Sequence, residues 1–554
     1  MLSTLALAAA LLLGPQQIRP PQQQQQTAPP EGTATIRGHV FAGDTGQPLR
    51  KAQVRIFAGE IRENRLATTD ANGAYEFTGV RPGRYTISAS KGSYVTTSYG
   101  QQRPTDAPKP LEILDRQTVE RLDLSLPRGG VIAGRVVDEF GEPMSEISVA
   151  AQRYQYVQGR RTLVPTGRMS STNDLGEFRV FGVPPGQYYL TATWRQTGIN
   201  VNGQGNPQDR TAYPLTYFPG TTNAGEAQRI TIAAGQDVND VQMMLRPIKA
   251  ARITGTAIGS DGKPMTPAMV LVSQTSGFGF TMMPGGQVKP DGTFTVTNVA
   301  PGEYTLRVQR MGPAAGEPEF ASARLVVAGD DISDVHLIAA PPSVGTGRII
   351  VDPAAAQQLP TPIVLTAFPT VFDGVPPPPP VRVADDLTFE IKSSPGRMRL
   401  SFGGFGQSPR GWTIKSVRVN ATDVTDSGIE FKANENISGI EVELTNRLTS
   451  VSGLVTNGRG DQATDYAAVV FAQDKERWTP NSRYLATGRP DQDGRFKISG
   501  LPPGDYYIVA VDRLEPGQNG DPEFLDSVRS RAASFSLMDG ETKTVDLKLT
   551  SAQP

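Results

Sequence analysis

GVPPGQYYL, at residues 182–190, returns as GLPPGDYYI at residues 500–508. A catalytic loop is not duplicated in this way, but a turn that every copy of a repeated unit must make is. Three more stretches complete the series: GVRPGRYTI (79–87), NVAPGEYTL (298–306) and KSSPGRMRL (392–400). Their Pro-Gly steps are Pro82-Gly83, Pro185-Gly186, Pro301-Gly302, Pro395-Gly396 and Pro503-Gly504, with successive prolines 103, 116, 94 and 108 residues apart. Each interval suits one small β-sandwich. Proline sets φ at the second position of a turn and glycine takes positive φ at the third, so each step is expected to be a type II turn. Two residues on, an aromatic opens an alternating strand, as in YYIVAV (506–511); the fourth copy has Met398 there.

Other landmarks keep the same spacing. Upstream of each Pro-Gly step stand DANGAYEF (70–77), NDLGEFRV (173–180), KPDGTFTV (289–296), ADDLTFEI (384–391) and DQDGRFKI (491–498). A short polar turn followed by alternating apolar residues predicts a hairpin. DQDG resembles the start of a calcium loop, but the later oxygen ligands, the twelfth-position Glu and the following helix are missing. Each unit opens on a strand with a glycine inside it, at 38, 134, 255, 347 or 453. Glycine weakens a strand, so a bulge or a close backbone approach is expected there. Each unit closes on an alternating strand: VERLDLSL, VNDVQMML, ISDVHLIA, ISGIEVEL and TKTVDLKL.

These landmarks predict an all-β chain of five tandem Ig-like β-sandwich modules at 33–127, 128–247, 248–340, 341–447 (the divergent one) and 448–550. Almost no residues remain as linkers, so an extended array of roughly 150 Å or more is expected from strands of about ten residues. Residues 1–14 read as a secretory signal, with the apolar run LALAAALLL at 5–13, although no Lys or Arg precedes it. Residues 15–32 are a Pro/Gln-rich spacer with nothing to bury, expected to be disordered. The predicted location is secreted, periplasmic or on the cell surface.

The order of opening strand, DEFGEP (138–143) or SDGKP (260–264), a strand such as AMVLV, the Asp-Gly hairpin and then G-x-P-P-G-x-Y resembles the carboxypeptidase regulatory-like domain. Units one, two, three and five carry the full order. Unit four keeps the Pro-Gly step and the closing strand. The resemblance implies a seven-stranded transthyretin-like sandwich, here in a bacterial chain without a peptidase domain. In that family the module is an accessory domain of enzymes and receptors, and related sandwiches bind glycans. Its motifs are turn chemistry, so they specify fold rather than function.

Composition argues against several chemistries. The 54 basic and 55 acidic residues leave a formal net charge of −1, with no surplus to neutralise nucleic-acid phosphates. There is no cysteine, hence no disulfide, thiolate metal site or lipidated cysteine. His39 and His336 are the only histidines and belong to different units, too few for a peptidase zinc site or a Ser-His-Asp centre. No G-x-S-x-G elbow or P-loop occurs. Paired carboxylates would need a deep cleft that modules this small seldom supply. The expectation is a non-enzyme without cofactor or metal.

Two motifs invite a binding role. Arg459-Gly460-Asp461 spells an integrin tripeptide, but it occupies the turn after the fifth opening strand. VPPPPPV (375–381) is a polyproline II segment that reads equally as a stiff loop. Aromatics outside the strand pattern are the better candidates for stacking on a sugar ring: Tyr154, Tyr156, Trp194, Tyr213, Tyr217, Phe218 and Trp478. Each can instead pack its own loop. The expected function is a structural, adhesive or binding array. The alternative is carbohydrate binding by the second unit, in the service of a separate glycan-degrading enzyme or transporter. Partners are expected among glycans or cell-surface proteins, with no nucleic acid and no membrane span beyond the N-terminal segment.

Overall fold

The computed structural model describes residues 32–552 apart from 60, 62, 158, 195–210, 277–278, 311–318, 320, 356–358, 371–376, 404–410 and 480. The signal and nearly all of the spacer, residues 200–210 and the start of the polyproline stretch therefore lie outside the described residues.

Period-two patterning builds the strands. Along the first opening strand, Ala34–Ala42, Ile36 and Val40 are buried while Arg37 and His39 face solvent. The chain is almost entirely β, a tandem series of small sheets. In the second repeat a sheet of Glu177–Val183, Gly130–Val137 and Asp237–Met244 pairs its opening and closing strands in parallel. A second sheet joins Arg160–Pro165, Ile147–Val157, Gly186–Trp194 and Arg229–Ile232. The third repeat has the same order, with Thr293–Val299, Ala251–Ile258 and Ile332–Ile338 against Gly279–Val288, Ala268–Ser276, Gly302–Arg310 and Ala321–Val327. Each repeat buries its own aliphatic cluster, for instance Ile132, Val149, Val180 and Leu190 in the second. In the fifth, Leu547–Thr550 pairs with both Ser450–Thr456 and Gly504–Val511, which merges the two sheets.

The mid-strand glycines mark a close backbone approach. A Cβ on Gly38, Gly134, Gly255, Gly347 or Gly453 would stand 1.8–2.1 Å from the carbonyl oxygen of Leu122, Val241, Val335, Ile440 or Val545 respectively. All five carbonyls belong to the closing segment alongside. In the second, third and fourth repeats the closing strand bulges at that point. No side chain fits between two backbones this close.

The repeated nonapeptide is organised differently from a type II turn. Gly83, Gly186, Gly302 and Gly504 have φ of 154–159° and Gly396 has 137°, far from the +80° of a type II turn, and each is the first residue of a strand. The left-handed residue is the first of the nine: Gly79, Gly182, Asn298 and Gly500, with φ of 60–82°. In the first three repeats it is the extra residue of a bulge against the opening strand. Asparagine tolerates this region better than other side chains do, which explains Asn298. The aromatic locks the corner. Tyr188 Oη donates to the Pro184 carbonyl and Tyr506 Oη to the Pro502 carbonyl, both at 2.6 Å, and Tyr85 Oη lies 2.8 Å from the Arg81 carbonyl. All three rings are fully buried. Burial pushes the Tyr506 hydroxyl pKa up, so it stays a donor across the physiological range.

The array is not laid end to end. Gln492 of the fifth repeat bonds the backbone of Glu112 in the first, and a loop at 517–520 meets the second repeat at Tyr156 and Gly159. Arg483 pairs with Asp426 of the fourth at 2.7 and 3.1 Å. Joints of only a few residues fix orientation as readily as they extend a chain, and here they bring the ends together. An α-helix at Pro522–Arg529, capped by Asp521, was also not expected; with Ala467–Ala472 and Trp478 it forms an extra small core.

Candidate functional site

The candidate aromatics do not converge on one place. Tyr154 meets Tyr189 edge to face at 5.6 Å between centroids, and the Arg161 guanidinium lies 4.8 Å from the Tyr154 ring. Tyr217 is buried beside them with Leu163 and Tyr189, and Arg229 lies over the Tyr189 ring and donates to Tyr189 Oη at 2.9 Å. Trp194 and Tyr213 form a T-shaped pair at 5.2 Å and pack with Phe218 against the core of the second repeat. Trp478 is only 5% exposed. Its indole N–H donates to the Ala472 carbonyl at 2.7 Å, and its ring packs on Phe471. That leaves it no free face for a sugar. Tyr156 is half-buried where the fifth repeat's loop approaches. Tyr154, at 37%, is the candidate with an exposed ring.

The polar turns use their own acids. Asp491 Oδ1 accepts from the backbone N–H groups of Asp493 and Arg495, and Asp70 and Asn173 act likewise in their hairpins. These are Asx turns, with the side-chain oxygen committed to the chain. Asp291 accepts from both the N–H and the hydroxyl of Thr293, bonds that hold its carboxyl below the usual range. Among the described residues no three His, Asp or Glu side chains are grouped to hold a metal ion. His39 faces Asp123 at 3.4 Å and His336 faces Thr256 at 2.9 Å, in separate repeats. The Arg-Gly-Asp stretch forms another such turn: Asn457 Oδ1 accepts from the N–H groups of Arg459 and Asp461.

An open groove of about 780 Å³ lies on the fourth repeat, lined by Arg348, Phe389, Glu390 and Glu441 among others. Arg348 pairs there with Glu441 at 2.6 Å, and the groove contains none of the candidate aromatics. Among the described residues no helix is long and apolar enough to cross a membrane.

Comparison with known proteins agrees with the turn motifs over one part of the chain. Residues 35–126 match the model of the carboxypeptidase regulatory-like domain. No curated protein matches the chain. Among solved structures, the chain is similar to a Streptococcal ancillary pilin (14% identity, 56% of this chain and 99% of that one, TM-score 0.19). It is also similar to GBS52, the minor pilin of Streptococcus agalactiae (12%, 39% and 97%, TM-score 0.21), and to the Bacillus anthracis TIE protein (11%, 74% and 68%, TM-score 0.15). At such TM-scores these likenesses carry no argument.

Proposed function

We propose that the chain is a non-catalytic array of five transthyretin-like modules, bounded as the sequence predicts, that is exported and serves as a structural or adhesive scaffold of the cell envelope. The observation that carries this reading is the use made of the repeated residues. Glycines, Asx carboxylates and corner tyrosines that recur in the chain are consumed by bulges, turns and carbonyl bonds, which leaves no recurrent reactive group among the described residues. Residues 1–14 would direct export and 15–32 would space the array from its point of attachment. Expression of the full chain with its N-terminus, followed by fractionation and N-terminal mass spectrometry, tests the export. A processed chain outside the cytoplasm is expected; an unprocessed cytoplasmic chain would contradict it.

A second reading, carbohydrate binding by the second repeat, rests on the exposed Tyr154 ring beside Arg161. A glycan array comparing the parent with Tyr154→Ala tests it: a signal lost in the variant supports it, and a blank array removes it.

A further inference from the structure

We propose that the fifth repeat closes the array through a two-point polar clasp, seating its DQDG turn on the edge strand Leu111–Ile113 of the first repeat and its 517–520 loop on the second. Leu111–Ile113 pairs on one side with Gly83–Ser90, through Arg84 and Glu112. Along its other edge, both backbone groups of Glu112 are taken by one side chain. Gln492 Oε1 accepts from the Glu112 N–H, and Gln492 Nε2 donates to the Glu112 carbonyl, each at 3.2 Å. The amide imitates a neighbouring strand, and only a side chain carrying both donor and acceptor does so. The equivalent hairpin positions hold Ala71, Asp174, Pro290 and Asp385, none of which offers both. Glutamine at this one copy is unnecessary for the turn, which the other copies make without it.

Neighbouring contacts are of the same kind. Arg84 donates to the Lys497 carbonyl at 3.1 Å. The Lys109 ammonium, its side chain 15% exposed, donates to the Thr464 carbonyl and lies 3.7 Å from Asp465. Asp465 is in turn held by Arg489 at 2.6 Å. At the second point, backbones nearly touch: a Cβ on Gly517 would fall 2.1 Å from the Tyr156 carbonyl oxygen, and one on Gly159 2.3 Å from that of Gly520. Both glycines are also left-handed, at φ of 75° and 70°. The clasp blunts an open sheet edge, which otherwise invites pairing with another chain. Because ion pairs contribute to it, added salt should weaken it.

The absence of cysteine gives a clean test. In Glu112→Cys/Asp493→Cys, whose contact residue Gln492 is intact, a short bismaleimide should link the two positions within one chain. Adding Gln492→Ala and Lys109→Ala should lower that yield several-fold and increase the maximum dimension in small-angle scattering, with melting of the individual repeats unchanged. Failure to form the link in the parent pair, links only between chains, or an equal yield in the quadruple variant would each overturn the proposal.

Discussion

The fourth and fifth repeats solve one problem with different residues. In the fifth, Gly500 takes the left-handed position at φ 82° and Tyr506 locks the corner by bonding the Pro502 carbonyl. In the fourth, Lys392 stands in place of the glycine, the pairing of Ser343–Val351 with Thr388–Ser393 runs without a bulge, and Met398 has no hydroxyl. The carbonyl equivalent to that of Pro502 belongs to Ser394, and it accepts from the Ser393 hydroxyl at 2.9 Å instead. A buried carbonyl must be satisfied, and the donor is interchangeable. The mid-strand glycine is not: Gly347 and Gly453 face the same clash, at 2.1 and 2.0 Å. What the divergent copy retains is the close approach of opening and closing strands, and what it loses is corner chemistry.

The largest effect is therefore expected where the two repeats agree. Gly453→Val and Gly347→Val should each destabilise their own repeat by about 3 kcal/mol, because the new atoms meet backbone that cannot yield. Thermal melting of each repeat, followed by limited proteolysis, checks this; a mild effect in either would break the equivalence. Next comes the bulge. Gly500→Val should cost about 1–2 kcal/mol in backbone strain, and Gly500→Asn much less, since Asn298 already occupies the same position. Gly504→Val should cost less than Gly500→Val, as its φ of 154° lies at the border of extended backbone. Equal losses at 500 and 504 would restore the type II turn.

Smaller again are the corner donors. Tyr506→Phe and Ser393→Ala should each cost about 1 kcal/mol, the worth of one hydrogen bond to a buried carbonyl. Both are read by denaturant midpoints, and a loss confined to the tyrosine would refute the exchange of donors. The smallest effect concerns acid. The Thr388 hydroxyl and N–H hold the Asp386 carboxyl of the fourth repeat below the usual carboxylate range. A depressed folded pKa gives a contribution present above the unfolded value of about 3.9 and lost as pH falls through the lower folded one. Carboxyl NMR titration should show that order, and Thr388→Val should bring Asp386 back towards the ordinary value.

The strands and hairpins were legible because alternation and Asx-plus-Gly turns are local signals, as at residues 491–498. The glycines inside the opening strands were also legible as anomalies, although not which carbonyl they met. The glycine of each Pro-Gly step is not the left-handed residue of a turn, and nothing local marked the first position of the nonapeptide as the one that is. Proline-glycine steps suggest a type II turn by composition, whereas a bulge depends on the register of the partner strand. Trp478 sits in a polar stretch, DKERWTPNSRY, that conceals its burial. Two signals existed there. AAVVFA at 467–472 is apolar on both faces, which requires cover on each side. Asp521-Pro522 ahead of an amphipathic run announces a capped helix. Closure of the array had no signal at all, since contacts between distant repeats through Gln492 or Gly517 follow no period.

The central claim is that the repeated nonapeptide serves the fold, and hydrogen exchange on Tyr506→Phe tests it most directly. Amides of residues 449–550 should exchange faster than in the parent while the cores of the first to fourth repeats keep their protection. Unchanged protection across 449–550 would contradict the account.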